Sequence, residues 1–143
     1  MMIEMELVEI QLHEQGGQQI IILQEKGGAQ RILSIFVGTF EFIFLDQAIK
    51  GILHERPMTH DLLLNVIESL GGTLKGVLVD ELKNNTYFGK LLIGNGEGEM
   101  VPIDCRPSDA MVLAMKQKVP IYVEQEVLRA VTGEEDEESD DEE

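Results

Sequence analysis

The chain has 143 residues, 43% of them hydrophobic, with no Trp, five Phe and one Cys. That supports one domain with a real core of Ile, Leu, Val and Met, and the lone Cys105 excludes an internal disulfide and fits a reducing cytosol. The formal charge is −16, but nine of the 27 acids stand in the terminal run "EEDEESDDEE", leaving 18 acids against 11 bases, or −7, for the body, a balance that does not suit a constitutive nucleic-acid binder.

No N-terminal stretch reads as a signal peptide, and no apolar run approaches the roughly 18 residues of a membrane span. A soluble cytoplasmic protein is expected, with no membrane partner. The acidic run cannot bury apolar surface and repels itself, so 134–143 is expected to be a disordered tail on a domain spanning 1–133.

"MIEMELVEIQLHE" (2–14) alternates apolar Ile3, Met5 and Leu7 with Glu4 and Glu6, the period of a strand with one wet face. "QGGQ" turns it into a second strand, "QIIILQE" (19–25). "KGGAQ" turns again into "RILSIFVG" (31–38), so the first three strands form an antiparallel meander. From Thr39 the period changes. Phe40, Ile43, Phe44, Ala48, Ile49 and Ile52 fall at helical spacing, which predicts a helix over 39–55 with Thr39 as N-cap, broken by Pro57. A second helix is predicted over 59–71, with Thr59 as cap, Asp61 in the first turn and Gly71 as its stop.

"GTLKGVLVDEL", "TYFGKLLIG" and "GEMVPIDC" then read as three strands joined by "KNN" and "NGEG". "RPSDAMVLAMKQK" (106–118) is the third helix, "VPIYVEQ" a short last strand, and "EVLRAVTG" at most a short helix. Strands, then helices, then strands predict an α+β fold: two antiparallel β-meanders packed with about three α-helices in a single compact domain. Phe40 and Phe44 share one helix face while Phe42 projects from the opposite one, and burying both faces in a small domain predicts a homo-oligomer.

Two helix starts are alike, "RPMTHDLLL" (56–64) and "RPSDAMVLA" (106–114). Helix-starting chemistry by itself accounts for Pro107, Ser108 and Asp109. It leaves Asp104, Arg106 and His60 unexplained. Asp104 could pair with Arg106 or Arg56 over a helix end. If the two starts meet in space, they assemble His60, Asp61, Asp104, Arg106 and Asp109, enough for a carboxylate-bound divalent cation and a guanidinium for phosphate. There is no phosphate-cradling glycine loop and no nucleophile elbow, and the seven Met residues read as core filling.

Taken together, "FVGTFE", "RPMTHDLL", "IDCRPSDAMVLAM" and "VPIYVEQEVL", in this order, resemble the bifunctional nuclease domain family of bacteria, archaea and plants. The match runs over about residues 3–129, with Phe42 and Phe44 standing where the family usually has small residues. The resemblance implies a compact α+β fold and nuclease activity on RNA and DNA. It carries over Thr59, His60, Asp61, Arg106, Ser108 and Asp109 as motif positions. The expected roles are His60, Asp61, Arg106 and Asp109 in catalysis, and Arg56, Thr59 and Ser108 in substrate binding. Asp104 and Asp109 would hold Mg²⁺ or Mn²⁺. The alternative is a non-enzymatic oligomeric assembly module in which the Arg-Pro boxes are structural.

Overall fold

A computed structural model describes residues 1–13, 15 and 18–134. Its elements are β1 (Met2–Gln11), β2 (Gln18–Glu25), β3 (Ile32–Gly38), α1 (Thr39–Ile49), α2 (Thr59–Ser69), β4 (Thr73–Lys83), β5 (Thr86–Gly94), β6 (Met100–Cys105), α3 (Pro107–Gln117), β7 (Ile121–Glu124) and α4 (Gln125–Thr132). The two expected meanders are present, β1-β2-β3 and β4-β5-β6. They are joined into one seven-stranded sheet of order β3-β2-β1-β7-β4-β5-β6. The four-residue β7 makes the join, antiparallel to β1 and parallel to β4. The result is a single α+β domain.

The period of two does what it predicts. Leu33, Ile35 and Val37 of β3 and Ile21 and Leu23 of β2 all point into the core, with polar or exposed neighbours between them on β3. The β4–β5 hairpin turns on Asn84 and Asn85, both at positive φ, the geometry a two-residue hairpin needs. Against the sheet lies α3. Five consecutive residues, Ala110 to Ala114, are buried, so this helix is enclosed on all sides rather than amphipathic. Small and unbranched residues among them let α1, β4 and β5 approach it closely.

Two helix starts differ from expectation. Thr39 and Thr59 are the first helical residues, and the N-caps are Gly38 and Met58, neither making a side-chain cap. At Met58 the backbone N–H instead donates to the Asp61 carboxylate, 3.0 Å away. α1 also stops at Ile49, short of Pro57. The stop of α2 is as predicted. Gly71, at φ +86°, donates to Glu68 O while Gly72 donates to Ile67 O, a Schellman ending.

The three aromatic residues of α1 divide differently from the sequence pattern. Phe42 is in the core, Phe44 is half-buried and Phe40 is 74% exposed. The larger exposed apolar surface is on α2, which has no buried residue at all. No helix among the described residues is long and apolar enough to cross a membrane. The acidic tail expected at 134–143 lies, apart from Glu134, outside the described residues.

Candidate active site

β3 and β6 are opposite edges of the sheet, and each runs into a helix at one end of the molecule: β3 into α1 at Gly38, β6 into α3 through Arg106. The sheet curls around the enclosed α3 until those two ends meet. Arg106 Nη1 donates to Glu41 Oε1 at 3.2 Å, across 65 residues of sequence. α2 brings its own first turn to the same place. The first turns of three helices therefore face one cleft of about 330 Å³, lined among others by Glu41, Thr59, His60, Arg106, Ser108 and Asp109. Helix N-termini present free N–H groups and positive dipole ends, so their convergence makes the cleft hospitable to an anion.

Asp109 is the centre of the hydrogen-bonding. Arg106 grips it with two prongs, Nε to Oδ2 at 2.9 Å and Nη2 to Oδ1 at 3.1 Å. His60 Nε2 lies 3.1 Å from Oδ1. The His60 hydrogen bond, and then the Arg106 guanidinium, hold the Asp109 carboxyl well below the usual carboxylate range against the opposing effect of burial. An ionised carboxylate can only accept, so Nε2 carries the proton and Nδ1 is the ring atom left to take one up. Among the described residues Asp109 is the ring's single hydrogen-bond partner, and Phe44 packs obliquely on the imidazole at 5.7 Å between ring centres.

Asp61, next to His60 in sequence, faces elsewhere. Its carboxylate takes Lys116 Nζ at 2.8 Å and the Met58 N–H, and these bonds, Lys116 first, hold it below its ordinary value. It fastens the start of α2 to the end of α3, which positions His60. Asp104 pairs with neither Arg106 nor Arg56. It sits directly opposite Lys90 in the β5–β6 register and binds it at 3.2 Å. Thr59 and Ser108 line the cleft, whereas Arg56 is exposed between α1 and α2 and is not among the cleft's lining residues. Burial, followed by the nearby Asp109 and Asp104 charges, pushes the Cys105 thiol up to about 12, so it is no nucleophile near neutrality.

Glu41 and Phe44 were not singled out as site residues by sequence reasoning. The available signal was Glu41 at the end of "FVGTFE", two residues after Thr39, which opens α1. A Cβ on Gly38 would meet the Glu41 carboxylate, the movable end of that side chain. Phe36, Val37 and Gly38 of the same motif line a second cleft of about 440 Å³ between the sheet edges, which also touches Glu41, Arg106 and Ser108. The Glu41–Arg106 pair thus stands between two adjoining clefts.

The carboxylates as arranged offer a divalent cation no shared point. Asp104 is engaged by Lys90, and both oxygens of Asp109 are engaged by Arg106 and His60. No group of three or more His, Cys, Asp or Glu residues suited to a metal occurs among the described residues. The donor set therefore does not fit the expected Mg²⁺ or Mn²⁺.

The sequence model of a family described as the bifunctional nuclease domain matches residues 21–136. An uncharacterized protein of Mycobacterium tuberculosis is 33% identical over 125 residues, which cover 87% of this chain and 73% of that protein. Bifunctional nuclease 1 of Oryza sativa subsp. japonica is 29% identical over 121 residues, 82% of this chain and 36% of the rice protein. Bifunctional nuclease 1 of Arabidopsis thaliana is 29% identical over 106 residues, 72% of this chain and 32% of the plant protein.

Proposed function

Because the chain belongs to the bifunctional nuclease domain family, we propose that it hydrolyses phosphodiester bonds of RNA and DNA in the cleft where α1, α2 and α3 begin. One observation supports this above the others. His60 and Asp109, 49 residues apart, form a hydrogen-bonded pair beside a bidentate arginine at three convergent helix N-termini. The phosphate docks against Arg106 and the helix starts. Water adds to phosphorus and gives its proton to His60 Nδ1, with Asp109 stabilising the imidazolium. The bond to the departing sugar oxygen breaks, and solvent protonates that oxygen. No step is routed through a metal.

Asp61, expected to be catalytic, and Asp104, expected to hold a metal, do not act on the substrate in this scheme. Asp61 is a positioning residue, through Lys116 and the start of α2. Asp104 has no part. Thr59 and Ser108 remain substrate-binding residues at the cleft wall. A reducing cytoplasmic setting suits the single free Cys105.

The alternative, a non-enzymatic assembly module, has the exposed apolar residues of α2 in its favour. Cleavage of a labelled single-stranded RNA and DNA by the purified chain, with and without a chelator, separates the two. Cleavage that survives the chelator and is lost in His60→Gln supports the hydrolytic reading. No cleavage with or without added Mn²⁺ would leave the assembly reading standing, and cleavage abolished by the chelator would replace the His60 scheme with a metal-dependent one.

A further inference from the structure

α2 is built inside out. Its half-buried residues are His60, Asp61, Leu64 and Ile67, so the two ionisable groups of its first turn are on the packed side. Its outer side carries Thr59, Leu62, Leu63, Asn65, Val66, Ser69 and, just past its end, Leu70, all exposed and none charged. Glu68, the one other exposed residue of the helix, stands on its flank, where it lines a small cleft with Leu64, Ile67 and Gln117. Leu62, Val66 and Leu70 follow at intervals of four and form a stripe, with Leu70 83% exposed. The segment that leads into the helix adds Leu53, 93% exposed. A surface helix of a monomer puts its apolar stripe inward and its charges outward. Here charged residues make up 27% of the chain, and the outermost face of one helix has none.

We infer that a second copy of this chain covers the outer face of α2, helix against helix about a two-fold axis. The charge distribution selects that occupant. Two molecules of formal charge −16 repel one another wherever acidic surfaces meet, and an uncharged face is where they can approach. A two-fold contact also requires a self-complementary patch, which a uniform stripe of Leu62, Val66 and Leu70 provides and a one-signed charged patch does not. The area suffices. With the exposed Ile49, Ile52, Leu53 and Met58 of the preceding segment, the exposed apolar surface is on the order of 800 Å², comparable with one partner's share of a stable interface. Lys50, Glu55 and Arg56 of that segment are exposed as well and carry both signs of charge. The contact borders the cleft, since Leu63 and Thr59 belong to both the outer face and the cleft lining. It stands whether or not the cleft hydrolyses nucleic acid.

Sedimentation of the full chain at micromolar concentration tests it. The wild type is expected at twice 16.0 kDa, and the species should persist in high salt, because screening weakens the repulsion and leaves the apolar contact intact. Leu62→Glu with Val66→Glu should sediment as one chain with an unchanged circular dichroism spectrum. Leu70→Glu, beyond the helix and in contact with little of its own chain, is the second variant should the first misfold. It should weaken dimerisation at least tenfold. A wild type found only at 16.0 kDa, a dimer that salt dissociates, or a folded Leu70→Glu protein that dimerises as tightly as the wild type would each overturn the proposal.

Discussion

Glu41 and Arg106 follow opposite edge strands of the sheet, yet they pair at 3.2 Å. The pair closes the curl of the sheet and occupies the Arg106 nitrogen, Nη1, that a phosphate would otherwise take. Glu41→Gln removes that competitor. We expect KM for a single-stranded oligonucleotide to fall several-fold with kcat little changed, and stability to move by less than about 1 kcal/mol, because Arg106 is 64% exposed. Gly38→Ala, whose methyl would displace the same carboxylate, should act in the same direction. A raised KM in both variants would show that Glu41 helps bind the substrate.

His60→Gln should lower kcat by about 10²–10⁴, the usual worth of a positioned acid–base group. Asp109→Asn should lose tenfold or more, since the amide can present its NH₂ to the ring and the imidazolium loses its counter-charge. The same change removes a part-buried hydrogen-bonded ion, at a stability cost of about 1–3 kcal/mol. Single-turnover cleavage read beside thermal melting separates the effects. Activity that merely follows melting would reduce the pair to a structural contact.

Arg106→Lys preserves charge and forfeits the two-pronged grip on Asp109. We expect kcat/KM to fall at least tenfold at nearly unchanged melting temperature, given the exposure of the side chain. Full activity in this variant would mean that a point charge suffices and that the guanidinium geometry is incidental.

Stability should respond to acid in a defined window. Asp109, Glu25 and Asp61 all have carboxyl values lowered in the folded state, by His60, Arg31 and Lys116 in turn as the leading causes. A group depressed on folding contributes stability above its unfolded value, near 4, and loses it as pH falls toward the folded one. The denaturation midpoint should therefore show no loss from these groups between pH 7 and about pH 5 and fall below about pH 4. Asp61→Asn should flatten part of that descent. A steep loss already between pH 7 and pH 6 would assign the sensitivity to other groups.

Local structure was legible in the sequence because its causes are local. Alternation and apolar runs bounded by turn residues marked the seven strands, helical spacing marked α1 and α2, and Gly71 and the Asn84-Asn85 turn marked where elements end. The two Arg-Pro boxes also named His60, Arg106 and Asp109 as one group, which the fold brings together. Partner choice was another matter. Asp61 and Asp104 are acids in the same boxes, but one lies against Lys116 at the far end of α3, and the other directly across the β5–β6 ladder from Lys90. A carboxylate pairs with whichever cation lies within a few ångströms, and that distance depends on helix packing and strand register, not on sequence spacing. The same holds at larger scale. Four residues of β7 decide that two meanders become one sheet, and the curl of that sheet around α3 decides that Glu41 reaches Arg106. Pairings this distant in sequence depend on the whole core condensing at once, so tertiary structure alone determined them.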